Sequence, residues 1–118
     1  MKNNIFTQAE TYSKNRLPVD QASTLIPAAY TNSEFFNLEK EMVFANAWVA
    51  VGCLPQVGNA GDILVTEVAG RSILIVRDKT GNLGAFYNVC RHRGSKLLEK
   101  SCKMNSIRCP YHAWVYGL

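Results

Sequence analysis

The sequence predicts a mainly β domain, a small antiparallel β-sandwich or barrel, preceded by one N-terminal helix. Three observations carry this reading. Two β-branched runs, Asp62 to Val68 and Arg71 to Arg77, flank Ala69-Gly70 at the spacing of a tight hairpin, and further turn signals follow closely. Ahead of them, Thr31-Asn32-Ser33-Glu34 forms a capping pattern that opens an apolar stripe at helical spacing. The composition is globular, with 47% hydrophobic and 19% charged residues in a chain of 118. A chain of this length buries roughly two-thirds of its unfolded surface, enough for one modest core.

The elements follow in order. Residues 1–30 are polar and punctuated by Pro18 and Pro27, which reads as an extended arm with little regular structure. The capping box places the N-cap at Thr31 and a helix from about Asn32 to Ala47. Phe35, Leu38, Met42 and Ala45 recur on one face, widened by Phe36 and Val43, and this aromatic face is expected to be buried as ordinary core. Trp48 to Cys53 reads as a short β-like run ended by Pro55, with Cys53 as a small buried hydrophobe. Thr80-Gly81-Asn82 reads as a turn and Leu83 to Val89 as the next strand. The chain divides into an arm and helix, 1–47, and a β domain, 48–118.

Several function classes are disfavoured. The longest aliphatic run, Ile73 to Val76, is far too short to cross a bilayer, and Met1 to Gln8 shows no apolar signal region, so no membrane role and a cytoplasmic location are expected. The net charge is +4, and Arg91, Arg93, Lys96, Lys100, Lys103 and Arg108 lie close together with only Glu99 opposing them. The stretch lacks interleaved aromatics and any helix-turn-helix or RNA-binding strand signature, so no nucleic-acid partner is expected. It reads first as a solvated face and second as a docking face for an acidic protein.

The four cysteines are candidate ligands before they are candidate disulfides, since no export signal accompanies them. Cys90-Arg91-His92 is followed, after 16 intervening residues, by Cys109-Pro110-Tyr111-His112. Each short segment offers one thiolate and one imidazole, and both histidines of the chain are among them. Four such ligands suit a tetrahedral zinc or an iron–sulfur cluster. A two-Cys, two-His zinc finger groups like with like, whereas here each loop is mixed. A two-iron, two-sulfide centre with both thiolates on one iron and both imidazoles on the other is met directly by two facing mixed loops. A structural zinc remains the alternative. Cys102 lies between the loops and reads as a spare surface thiol; Trp114 reads either as a cover for the metal centre or as plain core.

Asn88-Val89-Cys90-Arg91-His92-Arg93-Gly94 together with Cys109-Pro110-Tyr111-His112-Ala113-Trp114 resembles the Rieske domain of ring-hydroxylating oxygenase large subunits, and more broadly Rieske non-haem iron oxygenases. The resemblance extends upstream through Pro27 to Tyr30, Glu41, Phe44, Trp48, Gly61-Asp62, Arg77-Asp78 and Gly81. It implies a Rieske fold and a [2Fe-2S] cluster held by Cys90, His92, Cys109 and His112. Respiratory Rieske proteins carry an extra disulfide between the ligand loops; Gly94, Ser95 and Tyr111 leave no place for it here, which implies an oxygenase-type cluster at the low end of the roughly −150 to +300 mV Rieske span. Ala113 stands where the family often has glycine, with a small steric effect and no loss of ligation expected.

The resemblance further implies an oxygenase subunit that takes electrons from a reductase or ferredoxin. They would pass to a mononuclear Fe(II) in a catalytic domain of the same or a neighbouring subunit, within a trimer. That iron needs two histidines and a carboxylate. Both histidines here are committed to the cluster, so no catalytic residue is expected in this chain. It reads as the N-terminal Rieske part of such a subunit, ending before the last Rieske strands. A stand-alone Rieske ferredoxin is the alternative carrier, and a zinc-stapled binding module is the second alternative.

Overall fold

The computed structural model describes residues 4–118; the first three residues of the stretch read as lacking a signal lie outside it. The chain forms two compact units, one reaching Asn46 and the other running from Ala47 to Leu118.

In the first unit the arm is a succession of 3-10 turns, Ile5–Thr7, Ala9–Tyr12 and Lys14–Arg16, so it has more local order than an extended arm. Phe6 is its buried anchor and packs on Phe35 with ring centroids 5.1 Å apart. A single helical turn, α1 (Ala28–Thr31), follows Pro27. Helix α2 (Ser33–Glu39) begins after Asn32, whose Oδ1 accepts from the backbone N–H of Glu34 at 2.8 Å and of Phe35 at 3.3 Å.

The N-cap is therefore Asn32, one residue beyond the expected Thr31. Thr31 instead completes α1, which the Asn32 N–H closes onto Ala28 O at 2.9 Å. Glu34 does not box back onto the cap; its carboxylate accepts from Asn4 Nδ2 at 3.0 Å. Regular α-helix stops at Glu39 and the chain continues as a π-helical turn, Lys40–Phe44, well short of the predicted end. The expected apolar face is only partly covered: Phe35 and Leu38 are half-buried, while Phe36, Met42, Val43 and Ala45 are exposed. Within this unit Phe6 covers Phe35, while the Lys40 ammonium lies 4.4 Å above the Phe36 ring.

The second unit begins with a departure. Trp48 to Cys53 forms no strand, and Trp48 is fully exposed. The run does not alternate polar with apolar residues. It is instead tied to a 3-10 turn, Leu54–Val57, through Cys53 N–H donating to Gln56 Oε1 at 2.7 Å. Gly52 passes so close to the sheet that a Cβ there would stand 2.7 Å from Leu64 Cδ2. Cys53 caps that turn and is exposed, contrary to the expected burial.

Strands β1 (Asp62–Val68) and β2 (Arg71–Arg77) coincide with the predicted runs, and the register Val68↔Arg71 leaves a two-residue loop. Ala69 and Gly70 both take positive φ, +52° and +75°, which a hairpin turn matching the right-handed strand twist requires. The Asp78 carboxylate then organises the next turn, with Oδ1 accepting from the N–H groups of Thr80 and Asn82 at 2.8 Å each. Strand β3 (Leu83–Tyr87) ends two residues before the predicted limit: Asn88 keeps one backbone bond to Ser72 O on β2, and Val89 turns away with its N–H donating to Tyr87 O.

Two short strands, β4 (Cys102–Lys103) and β5 (Ser106–Arg108), precede the last one, β6 (Val115–Gly117). One antiparallel sheet has the order β3-β2-β1-β4, and β5 pairs with β6 in a second. The architecture is the predicted small antiparallel β fold. Its core consists of Ile63, Leu74, Val76, Leu97 and Ile107 together with two cysteines, Cys90 and Cys109.

Candidate metal centre

The two sequence-predicted loops have one backbone plan. In the first, Cys90 N–H donates to Ser95 O at 2.7 Å and Gly94 N–H returns to Cys90 O at 2.9 Å. In the second, Cys109 N–H donates to Trp114 O at 2.7 Å and Ala113 N–H returns to Cys109 O at 3.1 Å. The residue four places after each cysteine is left-handed, Gly94 at φ +71° and Ala113 at φ +60°. The glycine-to-alanine difference thus acts through the backbone: Ala113 sits in a conformation that costs L-residues about 1–2 kcal/mol.

These loops bring all four predicted residues together. Cys90 and Cys109 are each only 3% exposed and belong to the same buried cluster. His92 and His112 lie at the surface with ring centroids 4.8 Å apart. Trp114 stacks on His92 at 4.8 Å with the planes 4° from parallel, so it covers the first imidazole from the second loop while remaining half exposed. Tyr111 lies over His112 with centroids 3.8 Å apart. Arg91 and Arg93, on either side of His92 in sequence, and Arg108, just before Cys109, are exposed.

Among the described residues, all four cysteines are free thiols, and no three His, Cys, Asp or Glu side chains cluster tightly enough to hold one metal ion. What the loops offer is two pairs, thiols inside and imidazoles outside. Cys102 belongs to neither loop; on β4 opposite Ile63 it is half-buried against the core, not the surface thiol expected, because the strand turns it toward that core.

One residue of this site was missed from the sequence. The Tyr116 hydroxyl lies 3.0 Å from Cys90 Sγ and accepts from the Arg91 N–H at 3.1 Å. Either group can donate in this contact, and because the hydroxyl can donate to an ionised sulfur it holds the Cys90 thiol below its ordinary range, opposed by burial and aided by the backbone N–H groups of His92 and Arg93. The same bond raises the Tyr116 hydroxyl above its ordinary value. The register Ile107↔Tyr116 turns this side chain inward; the alternation of Val115 and Tyr116 was the available signal.

A small antiparallel β fold carrying two thiol–imidazole loops, with sulfur inside and nitrogen outside, is a metal-cluster domain. Residues 47–118 match the family described as Rieske [2Fe-2S] domain, and the chain belongs to that family. It is 46% identical over 100 residues to the carnitine monooxygenase oxygenase subunit of Escherichia coli (strain K12), covering 83% of this chain and 27% of that protein. It is 32% identical over 103 residues to the chloroplastic choline monooxygenase of Arabidopsis thaliana, covering 87% of this chain and 24% of that protein. Among solved structures, the apo form of the quaternary ammonium Rieske monooxygenase CntA is similar with a TM-score of 0.75 and 44% identity, over 82% of this chain and 29% of that one. Naphthalene 1,2-dioxygenase from Rhodococcus sp. is similar with a TM-score of 0.71 and 29% identity, over 76% and 21%. The chain spans about a quarter of the length of these relatives.

The cofactor of this family is a [2Fe-2S] cluster, and the donor set fits it. A Rieske cluster takes two thiolates on one iron and two imidazoles on the other, so each iron needs two protein ligands rather than three or four. The zinc-stapled reading loses its support with the family assignment.

Proposed function

We propose that Cys90 and Cys109 hold the inner iron and His92 and His112 the outer iron of a Rieske cluster. On this reading residues 48–118 form the electron-transfer domain of an oxygenase large subunit, with residues 1–47 as its arm and helix. When bound, the cluster supplies one-electron transfer. The residues around it divide the work. The buried thiols keep the inner side dry, and the Tyr116 O–H and neighbouring backbone N–H groups stabilise negative charge on Cys90. The exposed imidazoles make the redox edge accessible, with Trp114 and Tyr111 fixing their planes.

In the longer protein, electrons enter from a reductase or ferredoxin and leave for a mononuclear non-haem iron in a catalytic domain of the same or a neighbouring subunit of a trimer. The exposed arginines in and beside the ligand loops suit an acidic partner. Inter-subunit electron transfer is named for a quaternary ammonium Rieske monooxygenase 44% identical to this chain. The stretch matched by the carnitine relatives, 100 residues, is longer than the Rieske segment and so includes part of the arm and helix, which favours the oxygenase subunit over a stand-alone ferredoxin. Carnitine, choline and glycine betaine in the relatives' names make a quaternary ammonium compound the proposed substrate class.

The observation that carries the reading is the buried thiol pair beneath the exposed imidazole pair. Reconstitution with iron and sulfide followed by elemental analysis tests it. Two irons and two sulfides per chain are expected, falling to background in Cys109→Ser. One zinc per chain, unaffected by added iron and sulfide, would overturn it.

A further inference from the structure

Asn88 is the polar side chain that the core encloses among the described residues, 4% exposed and two positions before Cys90. An amide has two donors and two acceptor lone pairs. Asn88 uses all four. Its Nδ2 donates to Ser72 Oγ at 3.0 Å and to Leu98 O at 2.6 Å, while Oδ1 accepts from the N–H groups of Leu97 at 3.1 Å and Leu98 at 3.0 Å. Its own backbone N–H donates to Ser72 O at 2.9 Å.

The two candidate ligand loops share a backbone plan but are held differently at their ends. The second is the turn of a hairpin: β5 leads in, β6 leads out, and the pairs Arg108↔Val115 and Ile107↔Tyr116 tie entry to exit. The residue two before Cys109 is Ile107, an apolar core member. The first loop is entered from β3, but its exit, residues 95–101, forms no strand and has no ladder to hold it. There the Asn88 side chain supplies three bonds to the exit backbone at Leu97 and Leu98, and through Ser72 it ties the assembly to β2. A leucine of similar size would fill the space yet leave buried N–H and C=O groups unpaired, which is costly.

We infer that Asn88 is a positioning residue for the redox centre: it replaces the missing strand ladder of the first loop and so fixes Cys90 and His92 against Cys109 and His112. The inference rests on the proposed cluster ligation. Its consequence reaches beyond stability, because loosening this clamp shifts one thiolate and one imidazole together while the second loop stays in its hairpin.

The test uses the full chain reconstituted with iron and sulfide, comparing Asn88→Ala, Ser72→Ala and Ile63→Val. The last is a core change on β1 that touches neither loop's hydrogen bonds. The unsubstituted chain must first give a reduced Rieske signal in electron paramagnetic resonance; failure there overturns the proposed function before the clamp is at issue. Given that signal, Asn88→Ala is expected to broaden the spread of g values. It should also release the cluster to a chelator at least roughly tenfold faster, since four bonds are lost and one net hydrogen bond of ordinary size already gives about fivefold. Ser72→Ala, which removes one bond, should move both readouts the same way by a smaller factor. Ile63→Val, a packing change in the cluster that also holds Cys90 and Cys109, should lower the melting temperature and move g values and release less than either clamp variant. If Asn88→Ala fails to fold, Ser72→Ala decides. Unchanged g values and release in the folded clamp variants, or equal shifts in Ile63→Val, would overturn the inference.

Discussion

The hydroxyl of Tyr116 stands 3.0 Å from Sγ of Cys90, joining the last strand to the first ligand loop across 26 residues of sequence. A donor aimed at a thiolate stabilises the more negative, reduced state of a cluster bound there, and so raises its potential. Tyr116→Phe removes that donor with little change in shape. A hydrogen bond to a charged group is worth roughly 1.5–3 kcal/mol, and if about 1 kcal/mol of this differs between the redox states, the midpoint potential falls by roughly 40 mV. Protein-film voltammetry of both forms measures it. A potential that rises or stays fixed would mean the hydroxyl does not act on the sulfur.

The matched loops make a paired prediction. Ala113 holds a left-handed conformation at φ +60°, and Gly94 holds the equivalent one at +71° with nothing within 4 Å of where its Cβ would be. Ala113→Gly relieves about 1–2 kcal/mol of backbone strain and gives back about 0.5–1 kcal/mol of chain entropy, a net gain of roughly 0.5–1 kcal/mol. Gly94→Ala has the opposite sign and similar size, because no clash adds to it. Chemical denaturation of the two variants checks both signs.

Acid should weaken the β2–β3 turn in a definable window. The Thr80 hydroxyl, with the N–H groups of Asn82 and Thr80, holds the Asp78 carboxyl below its ordinary value of about 3.9. A depressed carboxylate contributes stability that is fully present above that ordinary value and lost as pH falls through the folded-state value. Melting temperatures of the chain and of Asp78→Asn are therefore expected to differ at neutral pH and to converge in strong acid. Parallel curves across the acid range would show that the carboxylate charge contributes nothing there.

The thiols should separate by reactivity. Cys53 is exposed, while Cys90 and Cys109 are buried. Brief alkylation of the native chain followed by peptide mass analysis should label Cys53 first. Cys53→Ser should retain the full iron content, since that thiol belongs to neither ligand loop. Loss of cluster in Cys53→Ser would contradict the ligand set.

What the sequence made legible was whatever local pattern decides. Strands β1 and β2 and the Ala69-Gly70 turn follow from alternation and turn chemistry between near neighbours. The four candidate ligand positions followed from residue type and spacing, and their loops face each other. The helix start expected at Thr31 fell one residue short because Asn32 is an equally competent cap; the one-turn helix after Pro27 claims Thr31 and leaves Asn32 to open α2. The apolar residues Phe36, Met42 and Trp48 implied burial, but hydrophobicity states only that a surface can be covered. Tyr116 and Asn88 could not be read locally, since one acts across 26 residues and the other bridges a strand to a loop exit. A polar side chain at a buried position reveals its purpose only once its partners are in place.

Electron paramagnetic resonance on the reconstituted, dithionite-reduced chain tests the central claim most directly. Mixed thiolate and imidazole ligation predicts a reduced [2Fe-2S] signal whose average g lies below that of all-cysteine clusters, abolished in Cys109→Ser. A silent, colourless protein that retains zinc, or a signal with the average g of all-cysteine ligation, would contradict it.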